Sequence, residues 1–167
     1  LTVNAGATYL QSEIQGTFCN YNPYGNDMNT AGAANPGCPA PPLPSDHGSE
    51  NYSGDRIPLT PEIQSVVSID YAFPLNENFR GFVGASASYR GETNAAFGNL
   101  PEFKVDAYTT VDLRAGVETE DGRWRLSIWG NNVTDEYYWT NVFHGADTNV
   151  RFTGLPAIYG ATLTFRH

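Results

Sequence analysis

Apolar and polar residues alternate one for one along six stretches of this chain, and the alternation stops abruptly between them. The cleanest stretch covers about 108–118, where Val111, Leu113, Ala115 and Val117 oppose Asp112, Arg114 and Glu118. A period of two sends successive side chains to opposite faces of a pleated strand, so this stretch predicts a strand with one apolar and one polar face. The same pattern predicts strands over about 63–73 (Val67, Ile69, Tyr71, Phe73 against Gln64, Ser68, Asp70) and about 79–92 (Val83, Ala85, Ala87, Tyr89 against Ser86, Ser88, Arg90, Glu92). It also predicts one over about 123–131, with Trp124, Leu126 and Ile128 against Arg125, Ser127 and Asn131. A weaker alternation over about 1–15 places Val3, Ala5, Ala7 and Tyr9 together, and a sixth strand covers about 157–167.

The connections are of two kinds. Pro74-Leu75-Asn76-Glu77-Asn78 and Glu120-Asp121-Gly122 are short, the latter with Gly122 supplying the positive φ of a tight hairpin. The others are longer: about 16–62 and 132–156 are long and about 93–107 is moderate. The first of these holds a Cys-Pro-Ala-Pro-Pro-Leu-Pro run beginning at Cys38 that suits neither a helix nor an interior strand. Long and short connections alternate, which is how the two rims of an outer-membrane β-barrel differ, with long extracellular loops at one and short periplasmic turns at the other. The apolar face carries no charge in the central parts of strands two to six. Its aromatics sit near strand ends, Phe73, Phe79, Trp124 and Phe165 by the short turns and Tyr89 and Tyr159 toward the long loops. Rings at both interfaces suit a lipid-facing band. The expected fold is therefore all-β, an antiparallel up-and-down transmembrane β-barrel fragment. A soluble β-sandwich that binds a ligand outside the cell would alternate too, but would not produce the loop asymmetry or the two aromatic bands.

Composition agrees. With 10 Tyr, 9 Phe, 3 Trp, 17 Gly and 11 Pro, the chain suits strands joined by turns. A net charge of −9 excludes nucleic acid as a partner, because phosphates need a basic surface. No run of about 18 apolar residues is present, so a membrane-spanning helix is excluded, whereas alternating barrel strands never give such a run. The chain starts in strand-like sequence with no leader, which predicts that it is an excerpt of a longer protein. A small self-contained barrel acting as an adhesin or pore would need at least about eight strands, more than the pattern supplies.

Candidate chemistry is sparse. Cys19 and Cys38 allow one pairing; a disulfide is the expected state, worth roughly 3 kcal/mol in the chain-entropy model, with two free thiols or half a metal site as the alternatives. Asp46, His47, His144 and Asp147 all fall in long loops with no Ser–His or metal-ligand spacing, so no catalytic, cofactor or metal site is expected. Aromatic residues on loops are the ligand-contact candidates: Tyr137, Tyr138, Trp139, Phe143 and His144 in the last long loop, and Tyr24 and Tyr52 in the first. Loop packing would explain the same residues. Arg90, Glu92, Asp112, Arg114 and Arg125 should face the lumen, in a polar network against neighbouring strands or whatever fills the barrel.

Three motifs tie these strands to a family. Arg56-Ile57-Pro58-Leu59-Thr60-Pro61-Glu62 leads into strand two. Asn131-Asn132-Val133-Thr134-Asp135-Glu136-Tyr137-Tyr138 follows strand five, and Gly154-Leu155-Pro156 followed by Tyr159-Gly160 opens strand six. In this order and spacing they resemble the C-terminal part of the barrel of TonB-dependent outer-membrane receptors. The resemblance implies a barrel of about 22 strands around an N-terminal plug, of which this chain would supply about the last six. It also implies a Gram-negative outer membrane, contact with lipid, with the plug and with the remaining strands, and TonB acting through an N-terminal segment that lies outside this chain. The imported ligand would be a small molecule or metal chelate such as a ferric siderophore, haem, cobalamin or a glycan, and no covalent chemistry or cofactor is implied. Family members usually end in an aromatic residue read by the assembly machinery; this chain ends in His167.

Overall fold

Six strands form one antiparallel sheet in the computed structural model, which describes residues 1–21, 38, 49–145 and 148–166. In chain order the strands are β1 (Thr2–Tyr9), β2 (Cys19–Tyr21), β3 (Ser49–Asn51), β4 (Ile63–Pro74), β5 (Phe79–Arg90), β6 (Thr93–Asn94), β7 (Lys104–Val105), β8 (Tyr108–Thr119), β9 (Trp124–Asn131), β10 (Trp139–Gly145), β11 (Thr148–Thr153) and β12 (Ile158–Phe165). The large sheet runs β1-β4-β5-β8-β9-β12, each strand beside the next one of the sheet in chain order. This is the up-and-down meander expected from the alternation. Among the described residues, the outer edges of β1 and β12 are unpaired, so the sheet is an open arc.

Strand lengths follow their partners. The alternation of the first strand runs on past Tyr9, yet β1 ends there because β4 begins at Ile63, just after Pro61, which has no N–H to donate to a ladder. The same limit ends the β4–β5 ladder at Arg90: the Gly91 amide donates to the Ile63 carbonyl at 2.8 Å, and the chain beyond pairs instead within the β6–β7 ribbon. Glu92, two residues past Arg90, therefore belongs to the loop.

Register explains the two faces. One row across the sheet reads Val3, Ile69, Ala85, Leu113, Gly130, Tyr159; the next toward the short turns reads Tyr71, Val83, Ala115, Ile128, Ala161. Every charged residue within the six strands (Asp70, Arg80, Arg90, Asp112, Arg114, Glu118, Arg125) lies on the opposite face. Among the described residues nothing covers the apolar face: Leu113 at mid-strand is 47% exposed, and Val83, Ile128 and Leu163 are exposed as well. A single layer of this kind is not a sandwich, which needs a second sheet over the apolar face. Aromatic rings close its short-turn border, with Trp124 and Phe165 at 4.5 Å and Tyr71 stacked on Phe73 at 5.7 Å. Tyr159 lies over Gly130, where a methyl group would meet the ring at 2.7 Å, so the ring covers a backbone that has no side chain of its own.

The core sits above the sheet, in the loops. Three two-stranded ribbons are built there: β2–β3, β6–β7 and β10–β11. Phe103, Val105 and Val142 are buried together, with Ala95, Ala96 and Leu100 packed around them, so the loop between β5 and β8 is fastened to the β10–β11 ribbon. Tyr52 (3% exposed) packs on Phe97 at 5.3 Å, and Phe97 also meets Phe18 at 5.3 Å, which ties the first long loop to the second. No described helix is long and apolar enough to cross a membrane.

Candidate functional site: the polar face and its loop cap

On the polar face, charges are paired across strands by register. Asp70, Gly84 and Arg114 stand side by side on β4, β5 and β8. A strand would normally hold Asp70 and Arg114 apart. Gly84 has no Cβ, and one added there would lie 2.5 Å from Asp70 Oδ1 and 2.6 Å from Arg114 Nε, so the pair closes over a bare backbone. Arg114 Nε donates to Asp70 Oδ1 at 3.1 Å. Nearer the short turns, Arg125 reaches Glu118 at 3.3 Å and stacks over the Phe82 ring at 4.0 Å, while Arg80 meets Glu120 at 2.9 Å. In the turn beyond, the Thr119 hydroxyl donates to Asp121 at 2.6 Å, and this bond, with the Arg123 amide, holds the Asp121 carboxyl below its ordinary range.

At the loop end of β9 the chain is knotted. Asn132, buried and at φ 48°, donates through Nδ2 to the carbonyls of Glu136 (2.9 Å) and Leu155 (3.0 Å) and accepts from the Glu136 amide at 3.0 Å. Its own amide donates to Asp112 Oδ1 at 2.8 Å. Asp135, also left-handed at φ 51°, accepts from the Ala157 amide at 2.9 Å just before β12. The Asn-Asn-Val-Thr-Asp turn thus binds β8, the base of the last loop and the start of β12 together. Short polar residues tolerate this backbone conformation and satisfy it locally, which is why Asn and Asp occupy it.

The aromatic candidates do not converge on one pocket. Tyr138 stacks on Tyr108 at 4.0 Å and lies over Gly154; together with Arg90, Thr8, Gln64, Ser88 and Thr110 the two tyrosines line a depression of about 560 Å³ on the polar face. Tyr108 was not singled out by sequence, since it opens a strand and not a loop. Trp139 is covered by Arg151 at 3.9 Å, and His144 shares a hydrogen bond with Asn149 at 2.9 Å. Tyr137 (74%) and Phe143 (59%) are exposed and free to meet a solute, whereas Tyr52 is spent on packing. Tyr24, Asp46, His47, Asp147 and His167 lie outside the described residues.

Arg90, Asp112, Arg114 and Arg125 are all on the polar face. Glu92 pairs instead with Lys104 at 3.2 Å in the loop, and Lys104 also meets Asp106 at 3.2 Å; the bond to Glu92, then that to Asp106, raises the ammonium above its ordinary pKa. A loop cleft of about 470 Å³ includes Arg56, Glu92 and Lys104 in its lining, with both cations already engaged, Arg56 by Glu62. Cys19 and Cys38 form a disulfide with Cα atoms 5.7 Å apart. Among the described residues no cluster of His, Cys, Asp and Glu could hold a metal.

A sheet with all its charges on one face, an uncovered apolar face and a cap of long loops at one rim has the parts of a membrane barrel wall. The family described as TonB dependent receptor-like, beta-barrel matches residues 1–133. The chain belongs to that family. The crystal structure of the ferric yersiniabactin uptake receptor FyuA from Yersinia pestis superposes with a TM-score of 0.61 at 19% identity, over 70% of this chain and 18% of that receptor. This chain therefore spans under a fifth of the receptor it resembles in fold. As a TonB-dependent receptor barrel, its strands sit in the outer membrane of a Gram-negative bacterium. The family consists of receptors and transporters, not enzymes.

Proposed function

We propose that this chain forms wall and outer loops of an active importer, which binds a scarce small molecule or metal chelate and moves it inward with energy delivered by TonB. The observation that carries the reading is the segregation of every charge in the six-stranded sheet to one face in a chain of this family. The apolar face meets lipid. The polar face lines the lumen against a plug domain, and the remaining strands of a barrel of about 22 adjoin β1 and β12. The short turns lie on the periplasmic side and the loop cap outside the cell. A ferric siderophore is the favoured ligand class, supported by the fold shared with a ferric yersiniabactin receptor; haem, cobalamin and glycans are the others. The protein needs no catalytic residue and no resident cofactor, because selective binding and gated passage suffice.

The test uses the full-length protein in its own host. The gene is deleted, and uptake of radiolabelled ferric chelates, haem, cobalamin and oligosaccharides is compared with the parent strain, with and without a dissipated proton gradient. The reading expects loss of one uptake activity that the parent shows only when energised. Unchanged uptake of every solute, or recovery of the protein outside the outer-membrane fraction, would overturn it.

A further inference from the structure

We propose that the polar wall just below the loops carries a subsite for a small organic carboxylate, centred on Arg90. Four arginines lie in the six strands. Arg80, Arg114 and Arg125 each end on a carboxylate, those of Glu120, Asp70 and Glu118. Arg90 has no carboxylate within 4.0 Å among the described residues. Its neighbours in register are neutral: one row reads Thr8, Gln64, Arg90, Tyr108, and the next brings Ser88 and Thr110.

The guanidinium is half-buried and aimed. Nη2 donates to the Leu59 carbonyl at 3.0 Å, and Leu59 holds the left-handed φ of 58° while its amide donates to the Asn94 carbonyl at 2.8 Å. Such a φ is costly for a branched side chain, so this carbonyl is held in place by its surroundings. One anchored bond leaves the rest of a planar fork of five N–H donors, the geometry that takes a carboxylate bidentately. The depression holding it, about 560 Å³, has room for a small organic anion, with hydroxyl and amide groups on its floor and the Tyr108–Tyr138 stack at its border. In a chain of net charge −9 whose other arginines in the six-stranded sheet are each paired with a carboxylate of the same chain, a cation left open here selects for negative charge arriving from outside the wall.

The inference rests on the polar face being the lumen, and its test is separable from uptake because it is read on purified protein. Full-length receptor in detergent is titrated calorimetrically with benzoate and with benzamide, its uncharged isostere. Benzoate is expected to bind about ten-fold or more tightly than benzamide and to weaken as salt rises. Arg90→Gln should remove that preference while leaving benzamide unchanged, and Arg90→Lys should restore part of it as a point charge. Retained heat-modifiable mobility shows that each variant has folded. Equal binding of the two probes overturns the proposal, as does benzoate affinity that survives Arg90→Gln. Failure of benzoate to bind, coupled to a lower unfolding temperature in Arg90→Gln, also overturns it, since the anion on Arg90 would then be an acidic side chain from elsewhere in the same protein.

Discussion

On one side of the six-stranded sheet no side chain is charged and most are aliphatic or aromatic, with Ser65, Thr109 and Thr119 toward the rims; on the other side, the same strands carry seven charged residues. The two faces are completed by different means. The polar face largely completes itself, through pairs such as Asp70–Arg114 and Glu118–Arg125 that register brings together. The apolar face is left uncovered among the described residues, as a barrel wall that meets the hydrocarbon of a membrane would be. Alternation in the sequence therefore encodes a division of labour between protein and lipid, and each half can be tested against the other.

The largest difference is expected at two adjacent residues of β8. Leu113→Arg places a charge at mid-strand on the apolar face and should cost about 2–4 kcal/mol in guanidinium unfolding from lipid vesicles. Asp112→Asn should cost about 0.5 kcal/mol or less, since an amide oxygen still accepts from the Asn132 amide. Equal losses at the two positions would erase the distinction between the faces. Next comes the knot where the wall meets its cap. Asn132→Ala removes four side-chain hydrogen bonds from a buried site and should cost about 1–3 kcal/mol, seen as a lower temperature for loss of the folded band on gels and faster proteolysis between residues 132 and 157. The smallest effect belongs to Asp70 and Arg114, whose side chains are 37% and 54% exposed. A double-mutant cycle with Asp70→Asn and Arg114→Gln should give a coupling of about 0–1 kcal/mol that shrinks in high salt. A coupling several times larger would mean that the polar face is as dry as the outer one.

Which face each strand residue occupies was legible from the sequence, because a period of two needs no knowledge of partners. Strand ends were not. Glu92 continues the alternation of β5, but β4 has already run out opposite it, and that limit is set by Pro61 in the segment leading into β4. The ribbons in the loops leave no mark in the pattern, since β6 and β7 are two residues each and the shift in register between Trp139 and Asn141 disrupts the alternation of β10. At the site, Tyr52 and Tyr138 looked alike as loop aromatics, yet one is buried against Phe97 and the other borders an open depression. Residue type does not reveal the packing partner. Asn132 and Asp135 were readable as part of a motif but not as its hydrogen-bonded knot. Asp70 and Arg114, 44 residues apart, meet only because a glycine stands between them in a register that no single strand encodes.

The buried trio of Phe103, Val105 and Val142 has a mechanical consequence. It joins two hairpins that rise from different strand pairs, β5–β8 and β9–β12, at a height where the sheet's own hydrogen bonds no longer act. Displacing one loop must either carry the other with it or break this buried contact, so the two hairpins are expected to move together.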